Sequence, residues 1–170
     1  MQRMIILGID PGYAIIGWGV LEYKNNHFKV IDFGAITTNA GEYFPQRLSV
    51  IDRELKHIID IYHPQVMSME KIFYNSNAKT VIDVSQARGV ITLAAYNKGL
   101  EIAEYTPLQV KQSVVGYGRA EKKQVQEMTR TILGLDKVPK PDDTADALAM
   151  AICHGQSSGS LLQNMKGRTW

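Results

Sequence analysis

The stretch Met4-Ile5-Ile6-Leu7-Gly8-Ile9-Asp10-Pro11-Gly12 is an apolar run that ends in one carboxylate. A run this short, bounded by proline and glycine, predicts a buried strand rather than a helix. An ionised acid near the end of a core strand is costly unless a positive partner meets it. Two interpretations are open at this point. Asp10 caps the Asp-Pro-Gly turn, or it holds a cation.

The composition predicts one soluble globular domain. The chain has 170 residues, is 45% hydrophobic and carries a net charge of +2, which is too small to indicate a nucleic-acid partner by itself. No apolar run approaches the ~18 residues of a membrane span. The single cysteine, Cys153, suits a reducing cytoplasm. We predict a single domain over residues 1–154 and a flexible C-terminal tail over residues 155–170, which is rich in Gly, Ser, Gln and Asn.

The order of predicted elements indicates an α/β fold. Two β-rich runs joined by Asn25-Asn26 follow the first strand and predict an antiparallel hairpin, within which Gly17 and Gly19 allow close backbone packing. Helical periodicity from Leu48 to Tyr62 and a short strand ending at Glu70 then predict a crossover and parallel pairing. With a further strand at residues 100–105, the prediction is a five-stranded mixed sheet of three antiparallel and then two parallel strands, flanked by helices.

Four further helices complete the prediction. A long one covers residues 78–98 and carries Ala87, Gly89 and Ala94, small residues that would let another helix come close. The next begins after Thr106, which is a suitable cap before a proline. Another covers residues 121–133, and the last begins at Asp142 or Asp143.

Four carboxylates are available to one site. If the strands that end at Asp10 and Glu70 are neighbours, these two acids converge. Asp143 and Asp146 share a face of the last helix, where the helix dipole explains one acid but not the whole set. An all-oxygen site favours Mg²⁺ or Mn²⁺ over Zn²⁺. Two such ions ~3.5–4 Å apart can hydrolyse a phosphodiester in line.

These features together resemble the RuvC family of bacterial Holliday junction resolvases, which have a ribonuclease H-like fold. The resemblance covers roughly residues 3–154. It is carried by Gly8-Ile9-Asp10-Pro11-Gly12, Glu70 with Phe73, Ser85-Gln86-Ala87-Arg88-Gly89-Val90, Gln109-Val110-Lys111-Gln112, Val114-Val115-Gly116, Ala120-Glu121-Lys122-Lys123 and Asp143-Thr144-Ala145-Asp146-Ala147-Leu148-Ala149.

The resemblance implies a structure-selective endonuclease that resolves four-way DNA junctions by paired symmetric nicks, in homologous recombination and DNA repair. It implies that Asp10, Glu70, Asp143 and Asp146 are catalytic and bind two Mg²⁺ ions, with Mn²⁺ as a plausible substitute. Some family members carry His at the position of Asp143, whereas Asp142 falls outside the pattern. It further implies a homodimer, in which we expect the long helix to form the contact, and the branch-migration proteins RuvA and RuvB as partners.

The DNA-facing residues have two interpretations each. Lys111, Arg119, Lys122 and Lys123 are a solvated helix surface, the usual explanation of a charge run, or they contact phosphates. Lys111 and Lys122 match lysines that the family uses on DNA. Phe73 is a core aromatic, or it stacks on a base near the crossover, as its match to the family implies.

Two other functions remain as alternatives. Strand-Asp-x-Gly openings also occur in actin-like and sugar-kinase-like nucleotide-binding domains, although these need two domains around a nucleotide. A non-catalytic junction-binding protein is the other alternative, and the four retained acids argue against it.

Overall fold

The fold is a five-stranded sheet with helices on both faces. The computed structural model describes residues 3–71 and 80–166, with side chains up to residue 158. Its elements are β1 Met4–Asp10, β2 Ile15–Lys24, β3 His27–Thr37, α1 Phe44–Tyr62, β4 Val66–Glu70, α2 Val81–Asn97, β5 Glu101–Tyr105, α3 Pro107–Val114, α4 Lys122–Leu133 and α5 Asp142–Lys166.

The strand order is β3-β2-β1-β4-β5, which places β1 at the centre. β1 pairs with β2 and β2 with β3 in antiparallel fashion. β4 pairs in parallel with both β1 and β5. Asn25 and Asn26 have φ angles of 51° and 62°, the left-handed values that a two-residue hairpin turn requires. The predicted mixed sheet is therefore confirmed.

Alternation along β1 divides the core into two parts. Ile5, Leu7 and Ile9 pack with buried residues of α1 and α2 on one face of the sheet. Ile6 packs on the opposite face with residues of α3, α4 and α5. Since side chains alternate along a strand, Gly8 and Asp10 lie on the same face as Ile6. Asp10 is thus presented to the layer of helices that contains α5.

Glycines in the central strands let α5 lie directly on the sheet. A Cβ atom at Gly8 would lie 1.9 Å from the Ala147 carbonyl oxygen, and one at Gly17 would lie 1.9 Å from that of Asp143. A Cβ atom at Gly19 would lie 2.5 Å from Cδ2 of Leu148. The predicted close packing at Gly17 and Gly19 is confirmed, and it seats the start of α5 above β1 and β2.

The last helix runs further than the sequence predicted. α5 continues to Lys166, so residues 155–166 are helical and do not belong to a loosely ordered tail. Gly155 is buried, and a Cβ there would lie 2.4 Å from Cε1 of Phe28. The Ser113 hydroxyl also donates a 2.9 Å hydrogen bond to Gln156. These tertiary contacts outweigh the low helix propensity of glycine and serine, which had predicted the earlier end.

Across residues 3–71 and 80–166, no helix combines the length and apolar character that crossing a bilayer would need.

Candidate active site

Three of the four predicted acids line one cavity beside the C-terminal ends of β1 and β4. The cavity has a volume of about 280 Å³ and is closed on its other sides by α3, α4 and α5. Its lining residues are Asp10, Glu70, Pro107, Val110, Lys111, Lys122, Val125, Asp146, Ala149 and Met150. Parallel pairing of β1 with β4 brings Asp10 and Glu70 together, because the carboxyl ends of parallel strands meet at one edge.

Among the four predicted acids, Asp10 has the pKa that is shifted most from its ordinary value. Burial raises the pKa of its carboxyl group to about 8, and the charges of Asp146, Asp143 and Glu70 push in the same direction. Lys122 opposes them. Asp10 therefore interacts with the other three predicted acids, although the four come from three separate elements. The alternative that Asp10 only caps a turn does not explain this convergence.

Glu70 lies at the exposed mouth of the cavity as the last residue of β4. Partial burial of its carboxyl group raises the pKa, and the charge of Asp146 adds to this effect. Arg88, Lys111 and Lys122 counteract it. The carboxyl group of Glu70 is therefore close to both acidic and basic side chains.

The two acids of α5 occupy different positions. Asp146 lines the cavity, while Asp143 does not line it but lies close enough to raise the pKa of Asp10. Asp142 forms an ion pair with Lys140 at 2.5 Å, and this contact lowers the pKa of its carboxyl group. Asp142 is therefore held outside the cavity, consistent with its place outside the predicted set.

Two of the predicted DNA-binding lysines also line the cavity. The Lys122 ammonium lies 2.8 Å from the Asp146 carboxylate, and Lys111 projects from α3, whose start Thr106 caps through Gln109. Arg119 and Lys123 are exposed and do not line the cavity. The prediction for Phe73 falls outside the described residues.

The donor set suits a hard divalent ion. Carboxylate oxygens are the ligands that Mg²⁺ and Mn²⁺ prefer, and buried like charges need a positive partner. Among the described residues, no three carboxylate, imidazole or thiolate side chains already enclose a metal position. The Lys122 ammonium supplies a positive charge beside Asp146.

Two residues that position the site were not assigned a role from the sequence. Gly8 permits the contact between β1 and α5, and its signal is a glycine inside an apolar strand. Arg88 donates a 2.6 Å hydrogen bond from Nη1 to the main-chain oxygen of Glu70. Arg88 belongs to the stretch Ser85-Gln86-Ala87-Arg88-Gly89-Val90, which carries part of the family resemblance. No periodicity or spacing in the sequence relates it to the end of a strand.

A ribonuclease H-like sheet with acids at its strand ends and on its last helix, beside lysines, is typical of nucleases of this fold. The family model described as "Crossover junction endodeoxyribonuclease RuvC" matches residues 6–154. The chain therefore belongs to the RuvC family of crossover junction endodeoxyribonucleases and is an enzyme of that class.

Individual relatives agree with this assignment. The RuvC protein of Caldanaerobacter subterraneus is 55% identical over 165 residues, covering 97% of this chain and 100% of the relative. The structure of Thermus thermophilus RuvC matches with a TM-score of 0.86 at 30% identity, covering 92% of this chain and 96% of that one. The T. thermophilus protein in complex with its Holliday junction substrate matches with a TM-score of 0.84 at 28% identity, over the same shares of both chains.

The family assignment decides between the functions left open by the sequence. The match to an endodeoxyribonuclease family over residues 6–154 does not favour a kinase-like nucleotide-binding domain or a junction binder without catalysis. The prediction of a Holliday junction endonuclease is confirmed.

Proposed function

We propose that this protein cuts two strands of a Holliday junction at symmetric positions, using two Mg²⁺ ions held by Asp10, Glu70, Asp143 and Asp146. The observation that carries the proposal is the convergence of Asp10, Glu70 and Asp146 on one cavity, with Asp143 close to Asp10. Burial raises the pKa of Asp10 to about 8, and electrostatic coupling to the other three acids adds to this effect. Such coupling is costly to the fold and has a use when a divalent ion neutralises it.

The proposed metal ligands come from two parts of the fold, the sheet and α5. Asp10 and Glu70 are fixed by the sheet, whereas Asp143 and Asp146 come from one turn of α5. Bound metal would activate a water and stabilise the leaving oxygen of the phosphodiester. Each carboxylate must be ionised to serve as a ligand, so metal binding releases the proton that Asp10 carries near neutral pH.

We assign Lys122 two roles: it pairs with Asp146, and it contacts a DNA phosphate once metal is bound. It pairs with Asp146 and is 61% exposed at the side chain, so a metal ion that bound Asp146 would leave it free to move toward DNA. Lys111 lines the same cavity from α3. We assign both lysines to the phosphates next to the scissile bond, and the exposed Arg119 and Lys123 to phosphates further along the strand.

Phe73 is proposed as the residue that stacks on a base near the crossover. The proposal rests on its position three residues after Glu70 and on the family resemblance. Replacing Phe73 with alanine should reduce cleavage more than it reduces melting temperature, since base stacking contributes ~1–3 kcal/mol per base.

A homodimer would present one active site to each of the two cut strands. The outward side of α2 is the surface we assign to the contact: Leu93 is 59% and Tyr96 71% exposed, and they line a shallow groove with Ser85, Arg88, Gly89 and Thr92. We name this set the α2 outer face. Gly89 was expected here, but Ala87 and Ala94 are fully buried in the protein's own core and cannot contribute.

The wider setting follows from the family. We propose that the enzyme acts with the branch-migration proteins RuvA and RuvB in homologous recombination and repair, and hence in the cytoplasm where bacterial DNA lies.

The test is cleavage of a mobile four-way DNA junction by the purified protein with Mg²⁺. Paired nicks at symmetric positions, lost in Glu70→Gln while junction binding in Ca²⁺ is retained, are the expected result. ATP hydrolysis, or a gel shift that is never followed by cleavage, would overturn the proposal. Equal loss of binding and cleavage in Glu70→Gln would mean that this acid is structural. Asp142→Asn is the matched control, because Asp142 is an acid of the same region held outside the cavity by Lys140.

A further inference from the structure

We propose that Arg88 is a positioning residue that holds the end of β4 and thereby fixes where Glu70 presents its carboxylate. The inference rests on the proposed role of Glu70 in metal binding. Arg88 belongs to α2, on the face of the sheet opposite α5, and it reaches the site around the sheet edge where β4 and β5 end.

The guanidinium group bridges two strands. Its Nη1 donates a 2.6 Å hydrogen bond to the main-chain oxygen of Glu70, and its Nη2 pairs with the carboxylate of Glu104 on β5. The Arg88 side chain is only 11% exposed, whereas the side chain of its partner Glu104 is 40% exposed. A planar fork with charge-assisted hydrogen bonds holds two acceptors in a fixed relative position.

The contact between Arg88 and Glu70 lies at the end of β4, where few hydrogen bonds between strands remain to fix the backbone. Glu70 is the last residue of β4, and the register with β5 ends at the pair of Glu70 and Tyr105. One more backbone bond follows, from the Lys71 amide to the Tyr105 oxygen at 2.8 Å. Arg88 therefore supplies a side-chain hydrogen bond at the point where strand pairing stops. Displacing a reacting group by about 1 Å can cost on the order of 100-fold in rate.

The two contacts of Arg88 act on one end of the sheet. The hydrogen bond to the main-chain oxygen of Glu70 and the ion pair with Glu104 together tie the end of β4 to β5. A group of this kind supports a ligand without touching metal or DNA, and loss of such support costs about 10–100-fold in affinity or activity.

Arg130 provides a matched control. Its Nε pairs with Glu127 at 2.9 Å and its Nη1 donates to the main-chain oxygen of Leu135 at 3.0 Å, the same combination of one carboxylate and one carbonyl. Arg130 does not line the cavity and lies five residues along α4 from Val125, the nearest lining residue of that helix, which is about 7.5 Å at 1.5 Å per residue. Arg130→Met thus removes a similar structural clamp outside the cavity.

The experiment compares Arg88→Met, Arg88→Lys and Arg130→Met with the wild type. We measure kcat and KM on a four-way junction with saturating Mg²⁺, Mn²⁺ binding to the DNA-free protein by calorimetry, junction binding in Ca²⁺, and melting temperature. In Arg88→Met we expect kcat to fall about 10–100-fold and Mn²⁺ affinity to fall about 10-fold, with KM and junction affinity within about twofold. Arg88→Lys should recover part of both, because lysine keeps the charge and one hydrogen bond.

The contrary results are equally specific. If Arg88→Met lowers melting temperature as Arg130→Met does while kcat and Mn²⁺ affinity stay at the wild-type level, the role of Arg88 is structural only. If the main loss is junction affinity, Arg88 contacts DNA and the proposal is wrong. A Glu70→Gln/Arg88→Met double variant should bind Mn²⁺ as weakly as Glu70→Gln alone, since the two residues act through one group. Full cleavage by Glu70→Gln would instead defeat the proposed function, independently of Arg88.

Discussion

The Lys122 ammonium and the Asp146 carboxylate lie 2.8 Å apart inside the cavity that Asp10 and Glu70 also line. Their contact raises the pKa of Lys122, so the lysine stays charged and pairs with an acid that the proposed metal also needs. In the proposed function, a metal ion and Lys122 would compete for Asp146. Metal binding would then leave Lys122 available for a phosphate.

Replacing Lys122 with methionine separates these two effects. Without DNA, Lys122→Met should bind Mn²⁺ more tightly than the wild type, because no ammonium has to leave Asp146. With DNA, it should bind the junction more weakly, and the slope of log affinity against log salt should shrink by about 1. Calorimetry and a salt series of junction binding measure both. Lys29→Met, at an exposed position of β3, is the control. An unchanged salt slope in Lys122→Met would remove the lysine from the DNA interface.

The raised pKa of Asp10 predicts how stability depends on pH without metal. The folded protein holds this proton up to about pH 8, whereas the unfolded chain releases it near its ordinary value of 3.8. The folded state thus binds more protons between those values, and its stability falls as pH rises through that window. In EDTA, Asp10→Asn should melt several degrees higher than the wild type at pH 9, since one kcal/mol corresponds to about 2–4 °C in a chain of this size.

The difference should shrink steadily as pH is lowered toward 4, and Mg²⁺ should stabilise the wild type at pH 8 but not Asp10→Asn. Asp142→Asn is the control with the opposite sign, because the pKa of that exposed carboxyl group is lowered. A constant difference between wild type and Asp10→Asn from pH 4 to 9 would mean that Asp10 is not the group that titrates.

Local sequence signals predicted the positions of the acids but not their contacts. A short apolar run before Asp10, and the helix and strand before Glu70, were enough to place each acid at the end of a strand. Their convergence was predicted only on the condition that the two strands are neighbours, which the pairing of β1 with β4 shows. The pairing of Lys122 with Asp146 and the reach of Arg88 to Glu70 depend on how α4 and α2 pack, which no spacing in the chain encodes. The length of α5 was missed for the same reason, since the close packing of Gly155 against Phe28 is a tertiary contact.

Gly17 tests whether the contact between α5 and the sheet sets the site. A Cβ at this position would lie 1.9 Å from the Asp143 oxygen and 2.7 Å from the Thr144 nitrogen, both main-chain atoms that cannot rotate away. Gly17→Ala should therefore shift the start of α5, lower stability by about 1–3 kcal/mol and reduce cleavage. Thermal melting and junction cleavage measure the two effects. Gly41→Ala, where a Cβ would meet nothing within 4 Å, should leave both unchanged. Wild-type cleavage in a destabilised Gly17→Ala would show that the site tolerates the shift.

The α2 outer face carries the last prediction, which concerns the proposed dimer. Leu93 is 59% exposed on α2, and a charged side chain there would have to be buried against the partner, which is costly without a counter-charge. Leu93→Lys should be monomeric in sedimentation equilibrium at micromolar concentration, with its melting temperature close to that of the isolated wild-type monomer. Ile61→Lys is the matched control, since Ile61 is 51% exposed on α1, a different helix.

If cleavage requires the dimer, Leu93→Lys should lose the paired nicks. A second variant that also replaces Tyr96 with cysteine should recover them when a disulfide joins two chains. Monomeric Ile61→Lys together with dimeric Leu93→Lys would move the contact to α1, because exposed aliphatic residues are present on both helices and only the true interface is sensitive to the added charge.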